Sequence, residues 1–196
     1  MSRRFGRIEI LMASLPKSNI VTYEEWLRLP EVSEAREEVV NGEIRIMPAP
    51  KVNHTRIVQR VYDLIRPNVN PSQVTVFCSL FNLIIRQAPL TMREPDLAVF
   101  LNDTMVERDG NIHSAPQLIV EVLSPANTRR DREEKLQDYA ALGVPEVWVV
   151  APEGRTVEIL LLQEGQLRRH AIVADGVLKP TLFPDVQVPV EEIWPD

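Results

Sequence analysis

Gln117-Leu118-Ile119-Val120-Glu121-Val122-Leu123 is the stretch that decides the fold. A short, nearly continuous apolar run rich in β-branched residues reads as a strand buried on both faces, in a central sheet with helices packed on it. Glu121 interrupts the run. Its desolvation penalty, of the order of several kcal/mol, requires that the carboxylate be neutralised, paired or bound to a metal. From this segment alone, three readings stay open: a structural arginine nearby, an exposed strand face, or a functional cluster.

Around this strand the pattern alternates between sheet and helix. Val74–Phe77, Leu80–Arg86 and Pro95–Leu101 are strand-like upstream; Glu146–Val150, Thr156–Leu162 and Gln166–Val173 are strand-like downstream. Asp131–Leu142 is predicted as a helix with Leu136, Tyr139 and Ala140 on its inner stripe and Gly143 as its stop. Asn53 is predicted to cap another, with Ile57, Val58, Val61, Leu64 and Ile65 facing inward. Thr22-Tyr23-Glu24-Glu25 is a capping box that opens a short helix ending at Pro30. Between them, Glu37–Val40 and Glu43–Met47 flank Asn41-Gly42, the pair best suited to a two-residue hairpin turn; Glu38 then faces Arg45 and Val39 faces Ile44. This order predicts an α/β (α+β) architecture, a mixed central β-sheet flanked by helices. Residues 1–21 read as an N-terminal extension and 22–196 as a single domain.

Composition narrows the function classes. The 196 residues are 44% hydrophobic and carry a net charge of −6, which excludes disorder and a broadly basic nucleic-acid-binding surface. No apolar run reaches the roughly 18 residues a membrane helix needs, so no membrane partner is expected. The single Cys78 cannot form an intrachain disulfide, and three scattered histidines make no zinc constellation. A reducing, cytoplasmic setting is therefore expected. Arg3-Arg4-Phe5-Gly6-Arg7 followed by Ile8-Glu9-Ile10 mimics a signal peptide, but Glu9 breaks an already short apolar segment.

Pro95-Asp96 supplies a second acid, at the start of the apolar run Leu97-Ala98-Val99-Phe100. Pro184-Asp185 repeats the dipeptide without such a strand behind it. Glu158 reads as a solvent-facing residue on an outer strand. Two acids on neighbouring central strands repel each other unless a cation lies between them, and oxygen-only ligation suits Mg²⁺ or Mn²⁺. A lysine beside such an ion suits phosphodiester hydrolysis. Lys135 is placed on its helix to reach back over the Glu121 strand; the alternative is an exposed lysine paired with Asp131 at i, i+4. Tyr139 reads as core, with its hydroxyl satisfied.

Pro95-Asp96, Glu121-Val122-Leu123-Ser124-Pro125, Asp131 with Lys135 and Tyr139, and Gly143-Val144-Pro145-Glu146-Val147-Trp148 together resemble the Uma-two-type endonuclease family of the PD-(D/E)XK nuclease superfamily. Glu38-Val39-Val40-Asn41-Gly42-Glu43, Met47-Pro48 and His54 match its N-terminal signature, so the resemblance spans roughly Thr22 to Leu167. It implies a restriction-endonuclease-like fold and a Mg²⁺- or Mn²⁺-dependent DNA endonuclease with Asp96 and Glu121 as metal ligands and Glu38 as an additional acid. For Glu38 the alternative is a cross-strand ion pair with Arg45. The superfamily pattern expects lysine two residues after the second acid, where this chain has Leu123. Lys135 looks like its migrated substitute; without it, the chain reads as a non-catalytic nucleic-acid-binding or regulatory module. A third reading, an enzyme of small phosphoesters, follows from the acidic charge. His54 and the Arg129, Arg130 and Arg132 cluster are candidate phosphate contacts, and exposed sheet edges admit a homodimer.

Overall fold

The computed structural model describes residues 20–29, 36–78, 81–125 and 128–195. Most of the expected extension, the helix stop at Pro30 and the strand start at Leu80 lie outside the described residues. Val21 is fully buried, and its backbone pairs with both Gly42 and Leu90.

The capping box forms as expected and opens α1 (Tyr23–Trp26), a single turn. β1 (Arg36–Val40) and β2 (Glu43–Met47) pair in the expected register, with Glu38 opposite Arg45 and Val39 opposite Ile44. Asn41 and Gly42 both take positive φ, +52° and +84°. A β-carbon at Gly42 would press on the Ile20 side chain and lie 2.9 Å from the Val21 amide nitrogen. Gly42→Ala is therefore expected to destabilise the fold by about 1–3 kcal/mol, read as a shift of the urea midpoint at unchanged slope.

Two mixed six-stranded sheets carry the rest. The larger core sheet contains β3 (Val74–Cys78), β6 (Leu97–Leu101), β9 (Leu118–Val122), β10 (Glu146–Ala151), β11 (Thr156–Gln163) and β12 (Gln166–Val173). Its order is β12-β11-β10-β9-β6-β3, and β9 with β10 is its parallel pair. That parallel step requires a crossover, supplied by the helix between the two strands. The second sheet adds β4 (Leu83–Gln87), β5 (Leu90–Arg93), β7 (Glu107–Arg108) and β8 (Asn111–Ile112) to the hairpin, in the order β2-β1-β5-β4-β8-β7. A β13 (Val177–Leu178) and β14 (Val188–Pro189) ribbon leads into α4 (Val190–Ile193).

The crossover helix α3 runs from Arg129 to Leu142, two residues earlier than expected, because Thr128 and Asp131 form their own capping box. Asp131 is the third residue of the helix rather than its start. The upstream helix α2 (Val52–Ile65) starts from Lys51, with no side-chain cap from Asn53. The Lys51 carbonyl accepts the Thr55 amide at 3.1 Å and closes the first turn ahead of Asn53. Gly143 ends α3 at φ +91°, as expected.

Alternate residues of β9 supply two cores. Leu118, Val120 and Val122 pack with α2 and α4, whereas Ile119 packs with Tyr139 of α3, Val147 and Val149. At about 1.5–3 kcal/mol per buried aliphatic side chain, this two-sided burial fixes the strand in the middle of the fold. Glu121 has the parity of the α3 face. Glu158 departs from expectation: β11 is flanked by β10 and β12, so it is no outer strand, and Glu158 pairs with Arg132 and Arg169.

Candidate active site

Asp96 immediately precedes β6, which runs antiparallel to β9 with Leu97 opposite Val120 and Ala98 opposite Ile119. One further step of the register sets Asp96 opposite Glu121. The Asp96 carboxylate is buried and accepts the Val122 amide at 2.8 Å; the His54 ring lies 3.1 Å away through Nε2. α2 thus delivers His54 and the sheet delivers the two acids.

Glu38 arrives from the second sheet and is 3% exposed, far too buried for the open cross-strand pair with Arg45. Arg45 instead pairs with Glu134 and Glu43. Lys135 lies between the acids: its Nζ is 2.9 Å from Glu38 Oε1 and 3.3 Å from Glu121 Oε2. Asp131, its alternative partner, is taken by the Thr128 box. The Tyr139 hydroxyl donates to Glu121, so Tyr139 is core, as its spacing suggests, and also part of the cluster.

Several residues at this site carry no spacing signal in the sequence. Arg93, buried at the end of β5, donates Nη1 to Glu38 at 2.9 Å and Nε and Nη2 to Asp138 at 2.8 and 2.6 Å. Glu94 binds Arg36 Nε at 2.8 Å. Arg36 and Glu38 share one face of β1.

Burial opposes ionisation of Asp96 and Glu38 but is outweighed, by His54, Lys135 and the Val122 amide for Asp96 and by Lys135 and Arg93 for Glu38. Both stay below the usual carboxylate range. Glu121 goes the other way: burial, reinforced by the Asp96 and Glu38 charges, pushes its carboxyl up against the pull of Lys135 and Tyr139. Two facing acids split in this manner when their environments differ.

Burial lowers His54, yet the hydrogen bond and charge of Asp96 prevail and raise its pKa above the ordinary 6.5. A raised folded pKa contributes stability that is fully present below about pH 6.5 and lost as pH rises through the folded value. In Asp96→Asn burial remains and its main counterweight is gone, with only the Glu121 charge left to oppose it. The His54 ring resonances, followed by NMR, are expected to titrate at a higher pH in the parent than in the variant.

The cluster opens into a cleft of about 400 Å³ whose wall carries five cationic side chains, among them Arg36, Arg45 and Lys51, against four carboxylates. Lys51, His54, Ser124 and Pro125 are shared with a second cleft of about 520 Å³ that reaches Arg129 and Arg132. Arg132 is engaged by Glu158 and Arg129 by Glu133, while Arg130 is exposed and lines neither cleft. The structure therefore brings together Asp96, Glu121, Glu38, Lys135 and His54, with Arg129 and Arg132 next door.

A mixed sheet flanked by helices, with facing acids on two central strands and a lysine from the crossover helix, places the protein in the restriction-endonuclease-like class. The chain belongs to the Uma2 family, described as "Putative restriction endonuclease", which it matches over residues 23–191. Its fold is similar to the crystal structure of a protein from Anabaena variabilis described as a putative nuclease belonging to DUF820. The TM-score is 0.72 at 21% identity, covering 88% of this chain and 97% of that one. No curated protein matches the chain. Among the described residues, no helix is long and apolar enough to cross a membrane.

Proposed function

We propose that the protein is a divalent-metal-dependent DNA endonuclease that hydrolyses phosphodiester bonds at the Asp96, Glu121, Glu38 and Lys135 cluster. The observation that carries this reading is the position of the Lys135 ammonium between Glu38 and Glu121, although the position two residues after Glu121 is Leu123. It favours an enzyme over a binding module that keeps only the fold.

Among the described residues, no three ligating side chains stand together as an ion-holding group; Lys135 occupies the space between two of the acids. The donor chemistry nevertheless fits. Asp96, Glu121 and Glu38 offer carboxylate oxygens alone, the set that selects Mg²⁺ or Mn²⁺. Bound there, the ion would supply charge neutralisation on the phosphate and acidification of a water nucleophile. The chain's own residues do the remainder. Lys135 holds a positive charge where negative charge develops on the phosphoryl oxygens. Tyr139 and Lys135 orient the Glu121 carboxylate, and the Val122 amide and His54 fix Asp96.

Supercoiled plasmid is expected to be nicked in Mg²⁺ or Mn²⁺ and to stay intact in EDTA. Asp96→Ala is expected to nick no faster than buffer. Equal nicking by a folded Asp96→Ala protein would sink the proposal.

A further inference from the structure

The cations around the cleft are not equally available to a substrate. Lys135 is committed to Glu38 and Glu121, Arg93 to Glu38 and Asp138, and Arg45 to Glu134 and Glu43. His54 faces Asp96. Arg36 differs. Its Nε is anchored on the buried Glu94 at 2.8 Å, and no hydrogen bond from its two terminal nitrogens is found among the described residues.

The anchoring is specific in its direction. Arg36 and Glu38 are two apart on β1, so both side chains leave the same face of the strand, and both line the cleft with Asp96, Glu121 and Lys135. The Glu94 backbone amide approaches Glu38 Oε1 at 3.5 Å while its carboxylate holds Arg36, so one residue sets both. The Arg36 side chain is 20% exposed, largely covered yet lining the cleft. Burial disfavours its charge, and Glu94, then Asp96 and Glu121, more than restore it, which places the guanidinium in the field of both central acids. A guanidinium held by Nε presents its remaining N–H groups as a planar fork, the geometry that matches two oxygens of a phosphate.

We propose that Arg36 is a substrate contact: its terminal nitrogens bind the non-bridging oxygens of the nucleic-acid phosphodiester seated against the Asp96 and Glu121 pair, and Glu94 aims it. This rests on the nuclease reading above. Arg36 offsets the repulsion between the polyanion and the acid cluster before any reaction occurs. Lys51, a cation of this cleft that makes no ion pair among the described residues, lies exposed at the start of α2.

The test measures affinity for a short fluorescein-labelled DNA duplex by anisotropy, in EDTA, across a salt series, for the parent, Arg36→Gln and Arg36→Lys. Each phosphate contact contributes about 0.9 to the slope of log affinity against log salt. Arg36→Gln is expected to reduce that slope by about 1 and to weaken binding roughly tenfold at low salt, equally for unrelated sequences. Arg36→Lys keeps the charge, so it should recover the slope while losing the fork and hence the nicking rate in Mg²⁺. An unchanged slope in Arg36→Gln overturns the proposal, and so does a slope lost in both variants, which marks a structural role. If the parent itself neither binds the duplex nor nicks plasmid, the nuclease reading fails and takes this proposal with it. If the parent does both and Arg36→Gln is indistinguishable from it, only the Arg36 assignment fails.

Discussion

Lys135→Met and Glu121→Gln are expected to lose plasmid nicking together, each by about 10²–10³-fold, and yet to separate in stability. Lys135 offsets two buried carboxylates, Glu38 and Glu121, and contributes to the field on Asp96. Replacing it by an apolar side chain removes the ion-pair partner of Glu121 and leaves Glu38 with Arg93 alone, the situation that costs about 3–5 kcal/mol when one member of a buried ion pair is removed. For a domain of this size that is a melting-temperature drop of about 6–20 °C. Glu121 is the opposite case. Its carboxyl is pushed up by burial and by Asp96 and Glu38, so as an ionised group it is held against its own preference. Glutamine keeps the shape, can still accept from Tyr139 and removes one of the mutually repelling charges. Glu121→Gln is therefore expected to unfold at the same or a higher urea concentration than the parent. The pH dependence has matching signs. The depressed Glu38 and Asp96 contribute stability that is present above the ordinary carboxylate range and lost as pH falls through their folded values. The raised Glu121 adds stability as pH falls through its folded value, and the Gln variant lacks that gain. A Lys135→Met protein as stable as the parent, or a Glu121→Gln protein clearly less stable, would show that the cluster is not electrostatically arranged as described.

Much of this was legible because the chemistry sits on elements with strong periodic signals. Glu121 stands out from an apolar strand, and the Asn41-Gly42 turn fixes the register that sets Glu38 opposite Arg45 and Val39 opposite Ile44. Lys135 needed the family resemblance as well, because helix spacing alone pairs it as readily with Asp131, and the capping box at Thr128 that occupies Asp131 was hidden behind the expected helix start. What could not be read was β5. Its sequence, Leu90-Thr91-Met92-Arg93, is buried at every position, yet Thr and Arg occupy half of it, so neither an apolar run nor an ordinary solvent-facing alternation marks it as central. Arg93 becomes intelligible only with its partners present, Glu38 from the neighbouring strand β1 and Asp138 from the crossover helix. Glu158 failed although the short connection at Glu164-Gly165 already joins β12 to β11: its partner Arg132 comes from α3, a long-range contact that no local pattern marks.

That unread residue carries the second large effect. Arg93 is 2% exposed and joins β5 to Glu38 of β1 and to Asp138 and Glu134 of α3. It therefore ties two neighbouring strands of the second sheet to the crossover helix beside the cleft. Its guanidinium is fully committed, with Nε and Nη2 on Asp138 and Nη1 on Glu38. Arg93→Met fills most of the volume but leaves Asp138 without its ion pair and Glu38 with Lys135 alone, and it is expected to lower stability by about 3–5 kcal/mol. Asp138 gives the effect a pH signature. Burial already pushes its carboxyl above the usual range, with Arg93 as the main restraint. Without Arg93 it rises further and takes up a proton on folding, so stability lost at neutral pH returns as pH falls through that raised value. The deficit of Arg93→Met against the parent, measured by urea unfolding, should therefore narrow between pH 7 and pH 5. Arg93→Met/Asp138→Leu should recover part of the deficit at pH 7 by removing one stranded charge. Arg93→Lys, a single point charge that cannot span Glu38 and Asp138 together, should fall between the parent and Arg93→Met. Glu38 keeps Lys135 but loses the Arg93 guanidinium that fixes its second oxygen in every one of these variants, so recovered stability should not bring recovered nicking. A deficit that stays constant with pH, or a double variant no more stable than Arg93→Met, would mean that Arg93 acts through packing rather than through the charges it joins.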